Sequence, residues 1–132
     1  MYNGVYTVEQ YAYMHDTLMK WLKEKIDGGS LGQKLRGMGI SDIAVYGANE
    51  LGQMVCHDIE DSVTVSAYID KNASRFRGMV DGKRVLDLEH LGLLPEDSCI
   101  LVTPEFYFRE IMEDLTERGI SMERILSLSM VV

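Results

Sequence analysis

Residues 42–52 read Asp-Ile-Ala-Val-Tyr-Gly-Ala-Asn-Glu-Leu-Gly, and this stretch decides the fold. Residues 43–46 predict a buried β-strand, and the Gly-x-x-x-x-Gly spacing of Gly47 and Gly52 predicts a tight turn that opens a helix. The first amides of a helix lack partners within it, and together with the helix dipole they attract anions. The stretch therefore predicts a turn that binds a pyrophosphate or another anion in an α/β nucleotide-binding fold, with a purely structural turn as the alternative.

Composition limits the classes of protein to which the chain can belong. Its 132 residues are 46% hydrophobic, which is enough for one domain with a real core. The formal net charge of −8 argues against contact with nucleic acid, because phosphate backbones require clustered Lys and Arg. The sequence contains no run of 18 apolar residues, the length that would predict a membrane span, and no signal peptide is recognisable. With only two cysteines, we expect a reduced, cytoplasmic protein that does not contact membranes.

The first part of the chain, residues 1–39, predicts a helical segment. Thr7 and Gln10 have the spacing of a capping box, and apolar residues recur at helical intervals as far as Ile26. A second, short helix is predicted from Ser30 to Gly37. We expect the apolar stripe of the long helix to pack on the rest of the domain, with a partner surface as the alternative. Its residues are Val8, Tyr11, Ala12, His15, Leu18, Met19, Leu22 and Ile26.

Residues 40–132 alternate between strand and helix patterns. Such alternation predicts a Rossmann-like, doubly wound and mostly parallel sheet, with five strands in the spatial order 3-2-1-4-5. The strands, numbered along the chain, are predicted at 43–46, 63–70, 83–86, 99–103 and 124–129, the helices at 50–61, 88–94 and 105–118, and a loop at 71–82.

The glycine turn contains most of the candidate ligand-binding residues. Gly47 permits the sharp exit from the strand, and Gly52 permits close packing of the helix on the sheet. Asn49 occupies the position of the middle glycine of a dinucleotide fingerprint, where it either blocks a pyrophosphate or caps the helix and contacts the ligand. The candidates in this turn are Gly47, Ala48, Asn49, Glu50, Leu51 and Gly52.

Further candidates lie at the ends of two other predicted strands. Asp70 follows the second strand, where a carboxylate can bind a ribose diol, although Asp70 with Lys71 and Asn72 can equally form an ordinary turn. A ribose contact would favour NAD over NADP, unless nearby cations compensate for the carboxylate. Thr103 is predicted to cap the helix after the fourth strand and to border the same crevice, with Glu105 and Tyr107 as acid and base candidates.

These segments resemble the small Rossmann-like NAD(P)-binding domains attached to bacterial enzymes of surface-sugar and polysaccharide biosynthesis, which include sugar acyltransferases, sugar-nucleotide dehydratases and glycosyltransferases. Residues 46–52 are similar to the first turn of these domains, residues 68–71 to the end of their second strand, and residues 81–85 to the piece that follows. The resemblance covers residues 40–130. It implies an NAD(P) ligand. Because an Asp70 contact to ribose favours NAD, NAD is the first candidate, and NADP and sugar nucleotides are the alternatives.

Signs of catalysis are few. No Tyr in the chain has a Lys four positions later, and neither a Gly-Lys-Ser/Thr loop nor a Gly-x-Ser-x-Gly elbow occurs. The three His and two Cys residues lack ligand-like spacing, so no metal site is predicted. Three hypotheses remain: a non-catalytic nucleotide-binding module, a small oxidoreductase or dehydratase fragment, and a ligand-free interaction protein. A homo-oligomer or a partner enzyme would meet the chain through the N-terminal helix.

Overall fold

The strand that precedes the glycine turn is an interior strand of a six-stranded mixed sheet. In the computed structural model, which describes residues 7–132, β1 (Asp42–Tyr46) pairs in parallel with both β2 and β5. The sheet order is β3-β4-β2-β1-β5-β6. The remaining strands are β2 (Thr64–Ile69), β3 (Met79–Val80), β4 (Lys83–Leu86), β5 (Cys99–Val102) and β6 (Ile125–Ser127), and the α-helices are α1 (Val8–Ile26), α2 (Leu31–Gly37), α3 (Glu50–Ile59) and α4 (Phe108–Glu117).

The chain therefore forms an α/β fold with one more strand than the sequence predicts. All five predicted strands are present, and β4, β2, β1, β5 and β6 are parallel neighbours in that order. The prediction of a loop over residues 71–82 is wrong in part, because β3 lies within it and pairs antiparallel with β4. A short turn at Asp81 and Gly82, both with positive φ, makes this hairpin.

Side chains of β1 alternate between two apolar cores, one on each face of the sheet. Ile43 and Val45 enter a cluster with buried residues of α2 and α3. Ala44 and Tyr46 enter a second cluster, which includes Ile111 of α4. Because both faces are covered, β1 carries an uninterrupted apolar run from residue 43 to residue 46, as buried parallel strands do.

The N-terminal helix begins as predicted but presents a different face to the domain. The capping box is confirmed, since the Thr7 hydroxyl accepts from the Gln10 amide at 3.1 Å and the Gln10 side chain accepts from the Thr7 amide at 2.9 Å. The expected packing of the apolar stripe is wrong: Val8 is 81% exposed and Ile26 is 75% exposed. Trp21 packs against the core instead.

One carboxylate joins α1 and α2 to α3. Asp58 accepts hydrogen bonds from the Trp21 indole at 2.7 Å, the Lys25 ammonium at 2.6 Å and the Leu31 amide at 3.1 Å. Burial would raise the pKa of this carboxyl, but these three bonds outweigh burial and hold the pKa below its usual value. The anionic form of Asp58 therefore stabilises the attachment of the helical segment.

Two predicted helices are shorter than expected. Residues 88–94 contain only a 3₁₀ turn, Leu91–Leu93, since Pro95 follows directly. The segment 105–118 divides into a 3₁₀ turn, Glu105–Tyr107, and then α4, so Thr103 does not cap an α-helix. No helix within residues 7–132 is long and apolar enough to cross a bilayer.

Candidate functional site

The glycine turn after β1 is packed so tightly that neither Gly47 nor Gly52 has room for a side chain. Gly47 has φ +103°, and its amide donates to the Ile69 carbonyl at 2.7 Å. A Cβ atom at Gly47 would lie 2.6 Å from the Thr103 hydroxyl oxygen, and one at Gly52 would lie 1.7 Å from the Gly47 carbonyl oxygen. The backbones of Gly47 and Gly52 are therefore in contact, and the start of α3 lies directly against the end of β1.

Asn49 is the N-cap residue of α3, but its side chain does not cap the helix. Its backbone is extended, with φ −78° and ψ −170°, and the side chain accepts no bond from the first-turn amides. Capping, one of the roles considered for Asn49, is therefore wrong. The side chain instead lines the cavity described below, where it is placed either to contact a ligand or to obstruct one.

Asp70 ties the glycine turn to the loop after β2. One carboxylate oxygen accepts from the Ala48 amide at 3.0 Å, and the other accepts from the Asn72 amide at 2.8 Å. The residue is only 8% exposed. The turn-forming role of Asp70 is therefore present, and its carboxylate also occupies one amide of the glycine turn.

Thr103 closes the third side of the site. Its hydroxyl donates to the Tyr46 carbonyl at 2.8 Å, and its amide donates to the same oxygen at 3.1 Å. These two bonds hold the end of β5 against the end of β1, and the threonine is 2% exposed. The hydroxyl is used in this contact, which explains why it does not cap a helix.

These three segments enclose a cavity of about 580 Å³ at the carboxyl ends of β1, β2 and β5. One part of its wall is polar and carries two cationic side chains, and the other part is mainly apolar and includes three aromatic rings. The polar lining consists of Asn49, Asp70, Lys71, Asn72, Arg75 and Thr103, and the remaining lining of Met14, Tyr46, Leu51, Gly52, Pro104, Phe106 and Tyr107.

The charged side chains at the cavity have neighbours that orient them. The Lys71 ammonium lies 3.9 Å from the Asp114 carboxylate, and the Arg75 guanidinium lies 5.8 Å from the centre of the Phe76 ring. Both cations are on the loop after β2, beside Asp70. The cavity therefore offers cationic donors next to a carboxylate, which suits a ligand with both anionic and hydroxyl groups.

Most of the predicted site residues line this cavity. Asn49, Leu51, Gly52, Asp70, Lys71 and Thr103 line the cavity, while Gly47, Ala48 and Glu50 do not. Gly47 and Ala48 support the wall through their contacts with Thr103 and Asp70. Of the two acid and base candidates, Tyr107 lines the cavity. Glu105 lies outside the lining, and its carboxylate accepts from the Thr17 hydroxyl at 3.3 Å and from the Ser129 amide.

Sequence reasoning missed the contribution of α1. Met14 reaches the cavity wall, and Tyr13 contacts the Phe106 ring edge-on at a centroid distance of 5.7 Å. Neither residue belongs to the apolar stripe that marked the helix. Asn72 and Phe106 could have been found, because both follow strand ends at the edge that contains the glycine turn.

The thiols are unsuited to nucleophilic chemistry. Burial raises the pKa of Cys56 and also that of Cys99, so both remain protonated near neutral pH. Neither cysteine lines the cavity. Within residues 7–132, no three His, Cys, Asp or Glu side chains are grouped closely enough to hold a metal ion.

Comparisons with known proteins place the chain in a family. No curated protein matches the sequence. A family model described as C2185-like, N-terminal, matches residues 39–126, a span that begins before β1 and ends within β6. Because this match covers more than half of the 132 residues, the chain belongs to the C2185-like N-terminal family.

Proposed function

We propose that this protein is a Rossmann-like, doubly wound nucleotide-binding module whose ligand contains a pyrophosphate, with NAD as the first candidate. The observation that carries the proposal is the cavity of about 580 Å³ where the ends of β1, β2 and β5 meet the first turn of α3. In open α/β sheets, ligands bind in this crevice, outside the carboxyl ends of the strands. The volume falls within the range of small-molecule sites.

The first turn of α3 supplies the proposed pyrophosphate contacts. The side chain of the N-cap residue Asn49 does not cap this turn. Its amides and the positive end of the helix dipole favour an anion there. Since Asp70 already accepts from the Ala48 amide, the pyrophosphate would bind the amides of Leu51 and Gly52 and the Asn49 side chain, all of which line the cavity.

The remaining walls fit the other parts of a dinucleotide. Asp70 and Asn72 provide acceptors and donors for ribose hydroxyls, and the Phe106 and Tyr107 rings provide an apolar surface for a base. Lys71 and Arg75 face the same cavity, so a 2′-phosphate would meet cations as well as the Asp70 carboxylate. NADP and sugar nucleotides therefore remain alternative ligands.

We propose binding without turnover by this chain alone. Of the two acid and base candidates, Tyr107 lines the cavity, whereas Glu105 is held in bonds to Thr17 and Ser129. A role in bacterial sugar or polysaccharide metabolism, beside a separate transferase, follows from the resemblance of residues 40–130 and belongs to the same proposal.

Thermal unfolding in the presence of NAD, NADP, ATP, coenzyme A and UDP-sugars tests the proposal. A ligand at about 100 times its Kd adds roughly 2.7 kcal/mol to the free energy of unfolding. A selective rise in Tm is expected for one pyrophosphate-containing ligand. A flat panel would overturn nucleotide binding and favour an interaction protein that has kept the fold.

Two arginines on one loop give a matched pair for locating the site. Arg75 lines the cavity and Arg77, two residues later, does not. Arg75→Ala should weaken binding of the stabilising nucleotide about tenfold, while Arg77→Ala should leave the Kd unchanged. Equal effects of the two substitutions, measured by calorimetric titration, would refute this placement of the ligand.

A further inference from the structure

Helix α1 has one face that packs on the domain and another that is apolar and exposed. Thr17 is buried, and Trp21 is bound to Asp58 on the inner face. The outer stripe, as we name the exposed apolar residues on the opposite side, includes Leu22 at 52% exposure. Its members are Val8, Tyr11, Leu18, Met19, Leu22 and Ile26.

The outer stripe has the spacing of a helix–helix interface. Positions 8, 11, 15, 18 and 22 alternate steps of three and four, which is the pattern of a coiled-coil seam, with His15 as its polar member. Val8 and Ile26 are five helical turns apart and point in the same direction, so the stripe runs along the whole helix, about 28 Å. An exposed apolar stripe of this length is typical of an interaction site.

Charges beside the outer stripe fit a second copy of the same helix. On one flank, Asp16 lies in the N-terminal half and Lys23 in the C-terminal half, about 20° apart around the helix axis. When two such helices pack antiparallel with the two-fold axis between residues 19 and 20, this flank of one helix lies against the same flank of the other. Asp16 of one copy then faces Lys23 of the second copy.

We propose that two copies of this chain associate through Leu18, Met19, Leu22 and Ile26 of their outer stripes, with the two α1 helices antiparallel. This arrangement buries Leu18 and Leu22 of both copies at a shared two-fold interface and places Asp16 beside Lys23 of the second copy on each side. The inner face of α1, with Met14 at the cavity, stays on its own domain. The inference is independent of what the cavity binds.

Sedimentation equilibrium of the whole chain tests the association. We expect a reversible dimer at micromolar concentrations, and Leu22→Glu should raise its dissociation constant at least about tenfold, since two carboxylates would be buried in the interface. Met54→Glu is the matched control, because Met54 is an apolar helical residue of α3 with 53% exposure. A monomer at every concentration, or equal effects of both variants, would overturn the proposal.

Charge reversal tests the orientation. Asp16→Lys and Lys23→Glu should each weaken the dimer several-fold, because each places two like-charged pairs across the interface. The double variant D16K/K23E restores opposite charges and should recover the wild-type dissociation constant. A double variant as weak as the single ones, with unchanged circular dichroism in all three, would overturn the antiparallel arrangement.

Discussion

Replacing Gly52 by alanine is the sharpest test of the turn geometry. The added Cβ would lie 1.7 Å from the Gly47 carbonyl oxygen and 2.9 Å from the Gly47 carbonyl carbon. Carbon and oxygen atoms that are not bonded normally stay about 3.3 Å apart or more, so the turn would have to open by about 1.6 Å. Backbone atoms on both sides make this costly, since β1 is paired with two strands.

Overpacking of a close-packed interior typically costs 1–3 kcal/mol, and a backbone obstacle lies at or beyond the upper end. We expect Gly52→Ala to lower the free energy of unfolding by about 3 kcal/mol, which corresponds to roughly 10 °C in Tm for a domain of this size. The assay is urea unfolding followed by circular dichroism, with the m-value checked for two-state behaviour.

Gly37→Ala is the matched control for this prediction. Gly37 is the last residue of α2, and a Cβ there would meet nothing within 4 Å. The same substitution should therefore stabilise the protein by about 0.5 kcal/mol, through the lower entropy of the unfolded chain. If Gly52→Ala changed stability by no more than the control did, the close approach of α3 to β1 would be refuted.

Three further predictions concern the other anchors of the fold. Asp58→Asn should lower the free energy of unfolding by about 2 kcal/mol at pH 7. Because folding lowers the pKa of Asp58, the extra stability of the wild type is present above the unfolded pKa and is lost as pH falls, so urea titrations below pH 4 should show the difference between the two proteins shrinking. Thr103→Val should cost about 1 kcal/mol through loss of the bond to the Tyr46 carbonyl, and chemical denaturation giving no loss would contradict that bond. Native protein should react with Ellman's reagent slowly and first at Cys99, since Cys56 is buried; a Cys99→Ser variant that still reacts rapidly would contradict the burial of Cys56.

The five parallel strands could be predicted because each has a local signature. Apolar β-branched runs and turn residues mark the strands, and the order of the five agrees with the observed pairing. The antiparallel strand β3 could not be predicted, because Met79 and Val80 form a strand only by pairing with Arg84 and Lys83. Two residues are too few to show a period, so the pairing partner decides their structure.

The residues of the cavity also divide into those that local sequence patterns predict and those that only tertiary packing places there. The fingerprint position of Asn49 and the strand-end positions of Asp70 and Thr103 predict these three residues, and all three line the cavity. The contribution of α1 to the cavity could not be predicted, because helical periodicity shows that a face is apolar without showing what covers it. The inner face contacts the domain through few residues, among them Thr17 and Trp21, whose polar atoms bond to distant carboxylates.

Asp70 connects the architecture of the turn with its proposed chemistry. Its carboxylate holds the Ala48 amide, so this amide is satisfied before any ligand arrives. An anion at the turn must then depend on the amides that follow Asn49, which places it closer to α3 than to β1. Removing the charge with Asp70→Asn would weaken the bond to Ala48 and leave the helix amides unchanged. Stability should therefore fall more than affinity for the pyrophosphate, whereas a ribose contact by Asp70 would lower both together.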